Sequence, residues 1–371
     1  FQYQKSVTSL TLNEGLENIG KGAFYSSSSI TSLHLPSTVR QIGAGILLSS
    51  KIQSFSIAEE NPVFSSDGNL IYNGNELVIY VGISPEVVIR EGTEEIESGV
   101  FMNNTQITSL VIPDSVKTIG AKAFTNCTKL TSITIGSGLK NLDSTAFSEL
   151  PALQTITVSE NNPNFKAKDN ILYSKDGTKL LLCAARNQIT DLSFLSGVTH
   201  IGDYAFAYHA TLESICLPEG VKTLGDYAFF ECRQAASFTA CESLLSIGER
   251  ALSFSKSINT ANSAETRYCN TLKYVVLYGN IKSIGAYAFY GQYGIESTFF
   301  KMSPSEATAL IENSGQNREY FLYGCPAGAT GTYYNNIKRY LYRATAPDNL
   351  TVNYDGYGWF YFDGNNLPQP W

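Results

Sequence analysis

Ile119-Gly120-Ala121-Lys122-Ala123-Phe124 returns as Ile19-Gly20-Lys21-Gly22-Ala23-Phe24, as Ile201-Gly202-Asp203-Tyr204-Ala205-Phe206 and as Leu224-Gly225-Asp226-Tyr227-Ala228-Phe229. Another copy runs from Ile284 to Phe289, and weaker ones start at Ile42, Ile96, Leu142 and Ile247. Positions 96, 119 and 142 are 23 residues apart, and so are 201, 224 and 247. A register held this long is the mark of a repeat array, in which one supersecondary unit is stacked many times.

Nine residues ahead of each motif lies a second element: Val7-x-x-Leu10-x-Leu12, Ile107-x-x-Leu110-x-Ile112, Leu130-x-x-Ile133-x-Ile135 and Leu212-x-x-Ile215-x-Leu217. Its central residue falls at Leu10, Leu33, Phe55, Val87, Leu110, Ile133, Ile156, Leu192, Ile215, Phe238 and Val275, which makes eleven repeats. Alternation sends the aliphatic side chains inward and the residues between them outward along a short strand. This is the pattern of a leucine-rich repeat. The expected fold is a mainly β, right-handed leucine-rich repeat solenoid of about 11 repeats of 23 residues. A parallel sheet forms its concave side, and short strands and turns such as 116–119 form the other. A single coil cannot bury its apolar face. At roughly 1.5–3 kcal/mol per buried aliphatic side chain, stability arrives only when coils stack.

Within I-G-x-x-A-F the Ile points inward, the Gly is expected to permit a tight bend, and the Ala lets the next coil approach. Phe24, Phe101, Phe124, Phe147, Phe206, Phe229 and Phe289 are expected to form an internal aromatic ladder. Two repeats lose the motif in the same way. Asn61-Pro62-Val63-Phe64 leads into Asp67-Gly68-Asn69-Leu70-Ile71-Tyr72, echoed by Asn162-Pro163-Asn164-Phe165 and Asp169-Asn170-Ile171-Leu172-Tyr173, with Phe64 and Phe165 in the Ile position. The Asn/Asp-Gly signals at 74–75 and 176–177 predict β-hairpin insertions near 61–83 and 162–184. A Ser/Asn/Thr-rich stretch at 255–271 reads as a loop insertion. The solenoid is expected over 1–291. Residues 292–371 lose the register, are rich in Tyr and Gly, and read as a β-rich C-terminal capping segment.

These residues resemble the BspA-like (Treponema pallidum-type) leucine-rich repeat family of bacterial surface proteins. The matching pieces are the 23-residue period, I-G-x-x-A-F, the L-P-x-x-V step at Leu35-Pro36-Ser37-Thr38-Val39 and Ile112-Pro113-Asp114-Ser115-Val116, and the N-P-x-F insertions. The resemblance implies a secreted or surface-exposed bacterial protein engaged in adhesion and protein–protein contact. Phe1-Gln2-Tyr3-Gln4-Lys5 carries no signal peptide, so a leader is expected to have been removed.

Composition narrows the function. The 371 residues carry 26 Lys+Arg against 33 Asp+Glu, a net charge of −7, which argues against a nucleic-acid partner. Charged residues are only 16%, below the usual ~25%, so the surface is neutral and rich in hydroxyls. No run of ~18 apolar residues predicts a transmembrane segment. The seven cysteines contain no CxxC pair.

No catalytic or metal constellation stands out, and no cofactor is expected. His34 should project from the outer face of its strand, and His200 and His209 belong to turns. Cys127 and Cys232 occupy one repeated slot and read as buried thiols. Cys216 alternates outward, and Cys241, just past its strand, is expected to be exposed too. Asp67-Gly68-Asn69 resembles the start of a calcium loop but lacks the later ligands, so a hairpin turn is the better reading. Gly20 and Gly120 are repeat glycines, not a nucleotide fingerprint.

What remains is the outer face of the sheet. Its positions include Ser9, Thr11, Ser32, His34, Ser109, Val111, Ser132, Thr134, Thr155, Thr157, Ser214, Cys216, Thr239, Tyr274 and Val276. Ser and Thr suit exposed strand positions by themselves. The strip is also the expected concave binding face, a hydrogen-bonding platform with aromatic and apolar character at one end. The expected function is a non-enzymatic recognition or adhesion protein whose partner is an extracellular protein or glycan. The alternative is a structural spacer displaying another domain, and a less favoured one is an enzyme within 292–371.

Overall fold

Period-two alternation forms the strands. In Ser109–Ile112, Leu110 and Ile112 are buried, Val111 is exposed and Ser109 is half-buried. Ser132–Ile135 repeats that pattern residue for residue. A computed structural model describes residues 2–43, 45–47, 52–82, 84–254, 271–292, 295, 297–302, 306 and 310. It also describes the backbones of Lys338–Tyr342, Trp359–Phe362 and Pro368–Pro370. Of the insertion expected at 255–271, residues 255–270, Cys269 among them, lie outside these, as does Cys325. The chain divides into two units, Phe1–Asp176 and Gly177–Trp371.

The first unit is built of coils joined by parallel pairing. Glu86–Val88, Ser109–Ile112, Ser132–Ile135 and Thr155–Val158 form one parallel sheet with the register Val87–Leu110–Ile133–Ile156. Ser32–Leu35 pairs with Ser54–Ile57 in the same manner. The first coil, residues 7–12, has no assigned strand, and its Leu10 and Leu12 are partly buried against the core. A second sheet follows the motif isoleucines: Glu95–Ile96, Thr118–Ile119 and Asn141–Leu142 pair in parallel, with Ile119 beside Ile96 and Leu142.

The first hairpin insertion joins that second sheet. Phe64–Asp67, Leu70–Asn73 and Glu76–Tyr80 form an antiparallel meander, and the third strand pairs in parallel with Glu95–Ile96. Leu77, not Phe64, therefore faces Ile96. The Asn of N-P-x-F holds the meander to the preceding coil. Asn162 is fully buried; its Nδ2 donates to the Gly136 and Leu139 carbonyls, and its Oδ1 accepts from the Asn164 and Phe165 amides. Asn61 does the same with Pro36, Val39, Val63 and Phe64. Phe165–Lys168 and Ile171–Ser174 form a hairpin whose turn residues, Asp169 and Asn170, both have positive φ.

The second unit repeats the plan. Lys179–Cys183, His200–Ile201, Thr223–Leu224, Ser246–Ile247 and Ser283–Ile284 form one parallel sheet. The other runs from Ser214–Cys216 through Ser237–Thr239 to Tyr274–Tyr278. It continues in parallel through Ser297–Lys301, Lys338–Tyr342 and Trp359–Phe362, and Pro368–Pro370 closes it antiparallel. Strands after residue 291 thus extend this sheet. One expected strand is absent: the stretch around Leu192 is a 3₁₀ turn, Ser193–Leu195. Asp191 causes it. Its Oδ1 accepts from the Ser193 amide and hydroxyl, and this local bond competes with strand geometry.

The phenylalanine ladder is interior, and all seven rings are buried. In the first unit Tyr80, Phe101, Phe124 and Phe147 follow one another at 4.9, 4.9 and 5.3 Å between centroids. In the second, Phe206 and Phe229 stack at 5.1 Å.

The motif glycine has a different cause from the bend expected of it. Gly120 and Gly225 are absent from the positive-φ positions, but a Cβ on either would lie within 2.7 Å of the preceding coil's backbone. Close approach demands glycine here. The left-handed residue is two positions later: Gly22, Gly99, Lys122, Tyr204, Tyr227, Arg250 and Tyr287. Mainly β solenoid architecture is thus what the structure shows in each unit, with helix confined, among the described residues, to Ser193–Leu195, Glu306 and Leu310.

Candidate interaction surface

Alternation puts every residue of the expected strip on the outer face. In the first unit Ser9, Thr11, Ser32, His34, Val111, Thr134, Thr155 and Thr157 are exposed, and Ser109 and Ser132 are half-buried. In the second, Ser214, Cys216 and Tyr274 are exposed, and Thr239 and Val276 are half-buried. Parallel register lines them up in rows. Val88, Val111, Thr134 and Thr157 form one row, Glu86, Ser109, Ser132 and Thr155 the other. Neighbouring coils bond along the rows: Thr157 Oγ1 donates to Thr134 Oγ1 at 3.1 Å, and His34 Nδ1 lies 2.8 Å from Ser56 Oγ.

The rows are not uniform. Val88 is 73% exposed and Val111 46%, side by side on adjacent strands, and Tyr274 is 46% exposed in the second unit. Glu86 and Val88 escaped the sequence reading, although alternation about Val87 places them outward by the same rule.

Beyond the strand ends lies a shallow cleft of about 390 Å³, lined by Val111, Thr134, Thr157, Gly136, Asp114 and Glu91 among others. A Cβ on Gly136 would sit 2.6 Å from the Pro113 carbonyl carbon, so the strand end stays close against the neighbouring coil. Asp114 caps that coil. Its Oδ1 accepts the Ser137 amide at 2.6 Å, and this hydrogen bond holds its carboxyl below the usual range. Glu14 accepts the Ser37 amide and hydroxyl with the same result, and Glu219 accepts the Glu242 and Ser243 amides. The sequence signal for these caps was an acid two residues past each outer strand's last inward side chain, as at Leu12, Ile112 and Leu217.

Among the described residues, one pair resembles catalytic machinery. Cys183 Sγ lies 3.3 Å from His209 Nε2, and Asn187 Nδ2 is 3.8 Å from the sulfur. Both Cys183 and His209 are buried. Burial raises the thiol and lowers the imidazole to about 4, so both are neutral, the opposite of a thiolate–imidazolium pair. His209 Nδ1 faces the Phe206 carbonyl at 3.2 Å, which can only accept. The proton therefore sits on Nδ1, and Nε2 accepts from the thiol. The pair is a packing contact.

Cys127 and Cys232 likewise donate to the Phe101 and Phe206 carbonyls of the preceding coil, and burial pushes the Cys127 thiol to about 12. Cys241 corrects an expectation. It is buried, and its Sγ donates to the Val221 carbonyl of the preceding coil at 3.3 Å. Among the described residues no group of three His, Cys, Asp or Glu is placed to hold a metal, and no helix is long and apolar enough to cross a membrane.

Among solved structures, the chain is similar to a leucine-rich repeat protein from Eubacterium ventriosum at 22% identity and a TM-score of 0.53, covering 80% of this chain and 67% of that one. It is also similar to the pneumococcal vaccine antigen PcpA at 17% identity and a TM-score of 0.52, covering 85% and 74%. At these identities the likeness is one of fold. No curated protein matches the chain. The model of the BspA type leucine-rich repeat region matches in six copies over residues 1–77, 85–175 and 183–295. With coils, motif and family model in agreement, the chain belongs to the BspA type leucine-rich repeat family.

Proposed function

We propose that the chain is a non-enzymatic recognition protein, secreted or displayed on a bacterial cell, that binds an extracellular partner through the outer face of its strand sheets. The observation that carries this reading is the exposed row of each unit. Uncharged hydroxyls are interrupted by solvent-facing Val88, Val111 and Tyr274, apolar side chains that the fold does not need there. Family membership supports the surface location, as does likeness to a protein named as a vaccine antigen. The partner class is an extracellular protein, with a glycan as the second choice, and binding sums many weak contacts over a rigid surface. The test is binding of the full chain to panels of extracellular matrix proteins and glycans, before and after Thr134→Arg and Thr239→Arg. Capture of a partner that either substitution abolishes supports the reading. Capture that neither disturbs would move the site off this face.

A further inference from the structure

The cleft of the first unit has a chemistry of its own. Two adjacent coils each present an outward valine followed three residues later by a carboxylate, Val88 with Glu91 and Val111 with Asp114. Parallel pairing sets the two valines side by side, so the coil repeat doubles the unit at ~4.8 Å. The charged residues of the cleft lining are Glu91 and Asp114, both acidic and both exposed. Asp114 Oδ1 accepts the Ser137 amide, which favours the ionised carboxylate, and the residue stays exposed. No aromatic ring lines the cleft, so it lacks the stacking platform that favours a sugar ring.

An aliphatic step ending at paired carboxylates complements a side chain with an alkyl stem and a cationic head. We propose that this cleft, with Val88 on the strand beside its Val111 wall, binds a basic peptide segment of the partner, seating a lysine or arginine stem on Val111 and Val88 and its head at Glu91 and Asp114. The flanking Thr134 and Thr157 hydroxyls supply hydrogen bonds to the peptide backbone. Charge complementarity selects this occupant, since the chain carries −7 overall and no cation lines the cleft to oppose it. The proposal rests on the outer-face reading above and narrows it to one partner chemistry.

The test uses the full chain and three fluorescent probes: an alternating lysine–serine peptide, its lysine-acetylated twin, and a heparin fragment. The lysine peptide is expected to bind, to weaken as salt rises, and to bind at least about tenfold better than the acetylated twin. Glu91→Gln/Asp114→Asn should lower its affinity about tenfold or more, and Val88→Ser/Val111→Ser should also weaken it. Asp114→Asn keeps an acceptor oxygen for the Ser137 amide, and circular dichroism melting of each variant confirms that the coil stands. Glu17→Gln/Glu213→Gln removes the same charge elsewhere and should change nothing. Equal binding of the acetylated twin, an equal loss in that control pair, or preference for heparin would each overturn the cationic assignment. If those results come with a partner still lost on Thr134→Arg, the outer face stands and only its proposed occupant falls.

Discussion

In the first unit the left-handed position of the repeat is held by Gly22 (φ +63), Gly45 (+66), Gly99 (+71) and Lys122 (+56). In the second it is held by Tyr204 (+55), Tyr227 (+56), Arg250 (+51) and Tyr287 (+58). The backbone is the same, but glycine holds the position in the first unit except at Lys122, and large side chains hold it throughout the second. A left-handed non-glycine residue costs roughly 1–2 kcal/mol, so three tyrosines and an arginine need a return. Stacking provides part of it. Tyr204 and Tyr227 lie parallel at 4.7 Å, and the Arg250 guanidinium sits 5.8 Å from the Tyr227 ring and 5.2 Å from that of Tyr287. Coil-to-coil stacking of a side-chain column thus offsets strain within each coil, whereas glycine avoids the strain and contributes no column. The aromatic interior shows the reverse bias: the first unit stacks three rings in series, with Tyr80 tilted against the first, and the second stacks Phe206 on Phe229, with Leu252 in the following position.

That contrast breaks most readily at the ladder. Phe124→Ala should cost about 3–5 kcal/mol, as core aromatic truncations do. Phe229→Ala should cost about 1 kcal/mol less, because Phe124 loses two stacked neighbours, Phe101 and Phe147, and Phe229 loses only Phe206. Urea denaturation with hydrogen exchange of peptides from each unit separates the two. A loss below about 1 kcal/mol at Phe124 would mean that its ring is not interior.

Acid should divide the units next. His209 is buried at a folded pKa of about 4 against an ordinary 6.5, so the unfolded chain takes up its proton first. Its contribution is fully present above pH 6.5 and is lost as pH falls toward 4, about 3 kcal/mol in all. In the first unit the corresponding slot holds Ser27, Asn104, Cys127 or Leu150, and none titrates in that window. The carboxylate caps Glu14, Asp114 and Asp191 have lowered pKa values, so their stabilisation persists through this window and fails only at lower pH. Hydrogen exchange from pH 7 to 5 should therefore loosen 183–209 before 101–127. His209→Asn, using the residue of the Asn104 slot, should flatten that response. Equal loosening of both segments would show that burial does not hold His209 neutral.

Much of this was legible in the sequence because the physics is periodic. Alternation around Leu110 or Ile215 fixes which side chains face in, and a 23-residue spacing fixes which coils touch. The exceptions are places where a local bond outcompetes the period. Asp191 turned an expected strand into a 3₁₀ turn, and the carbonyl of Val221 drew Cys241 inside. The role of the motif glycine was hidden for another reason. Close approach between coils is a distance between residues far apart in sequence, and a single repeat cannot display it. The cleft at Val111 and Asp114 was half legible: the strip named its valine and threonines, but its carboxylates lie past the strand, where alternation has ended.

Glycine at the close approach should be equally intolerant in both units. Gly120→Ala puts a Cβ 2.7 Å from the Ser98 amide, and Gly225→Ala puts one 2.6 Å from the Asp203 amide. Each should cost about 1–3 kcal/mol by chemical denaturation. A pronounced asymmetry would show that one unit's coils can part to admit a methyl group.

The smallest expected effect is the most pointed. Arg250 is buried, its Nε and Nη2 have no hydrogen-bond partner, and the nearest carboxylate oxygen, on Glu249, is 3.9 Å from Nε. Buried guanidinium donors left unbonded are costly, and cation–π contact with Tyr227, Tyr287 and Tyr290 returns only about 0.5–2 kcal/mol. Tyrosine already tolerates this backbone conformation at 227 and 287. Arg250→Tyr would extend the column from Tyr204 through Tyr227 to Tyr287 without adding strain, and should raise stability by about 1 kcal/mol in urea denaturation. If it lowers stability instead, the guanidinium is the stronger partner for the tyrosines. The second unit's column would then owe its strained backbone to charge on aromatic faces, and ring-on-ring stacking would be the lesser contribution.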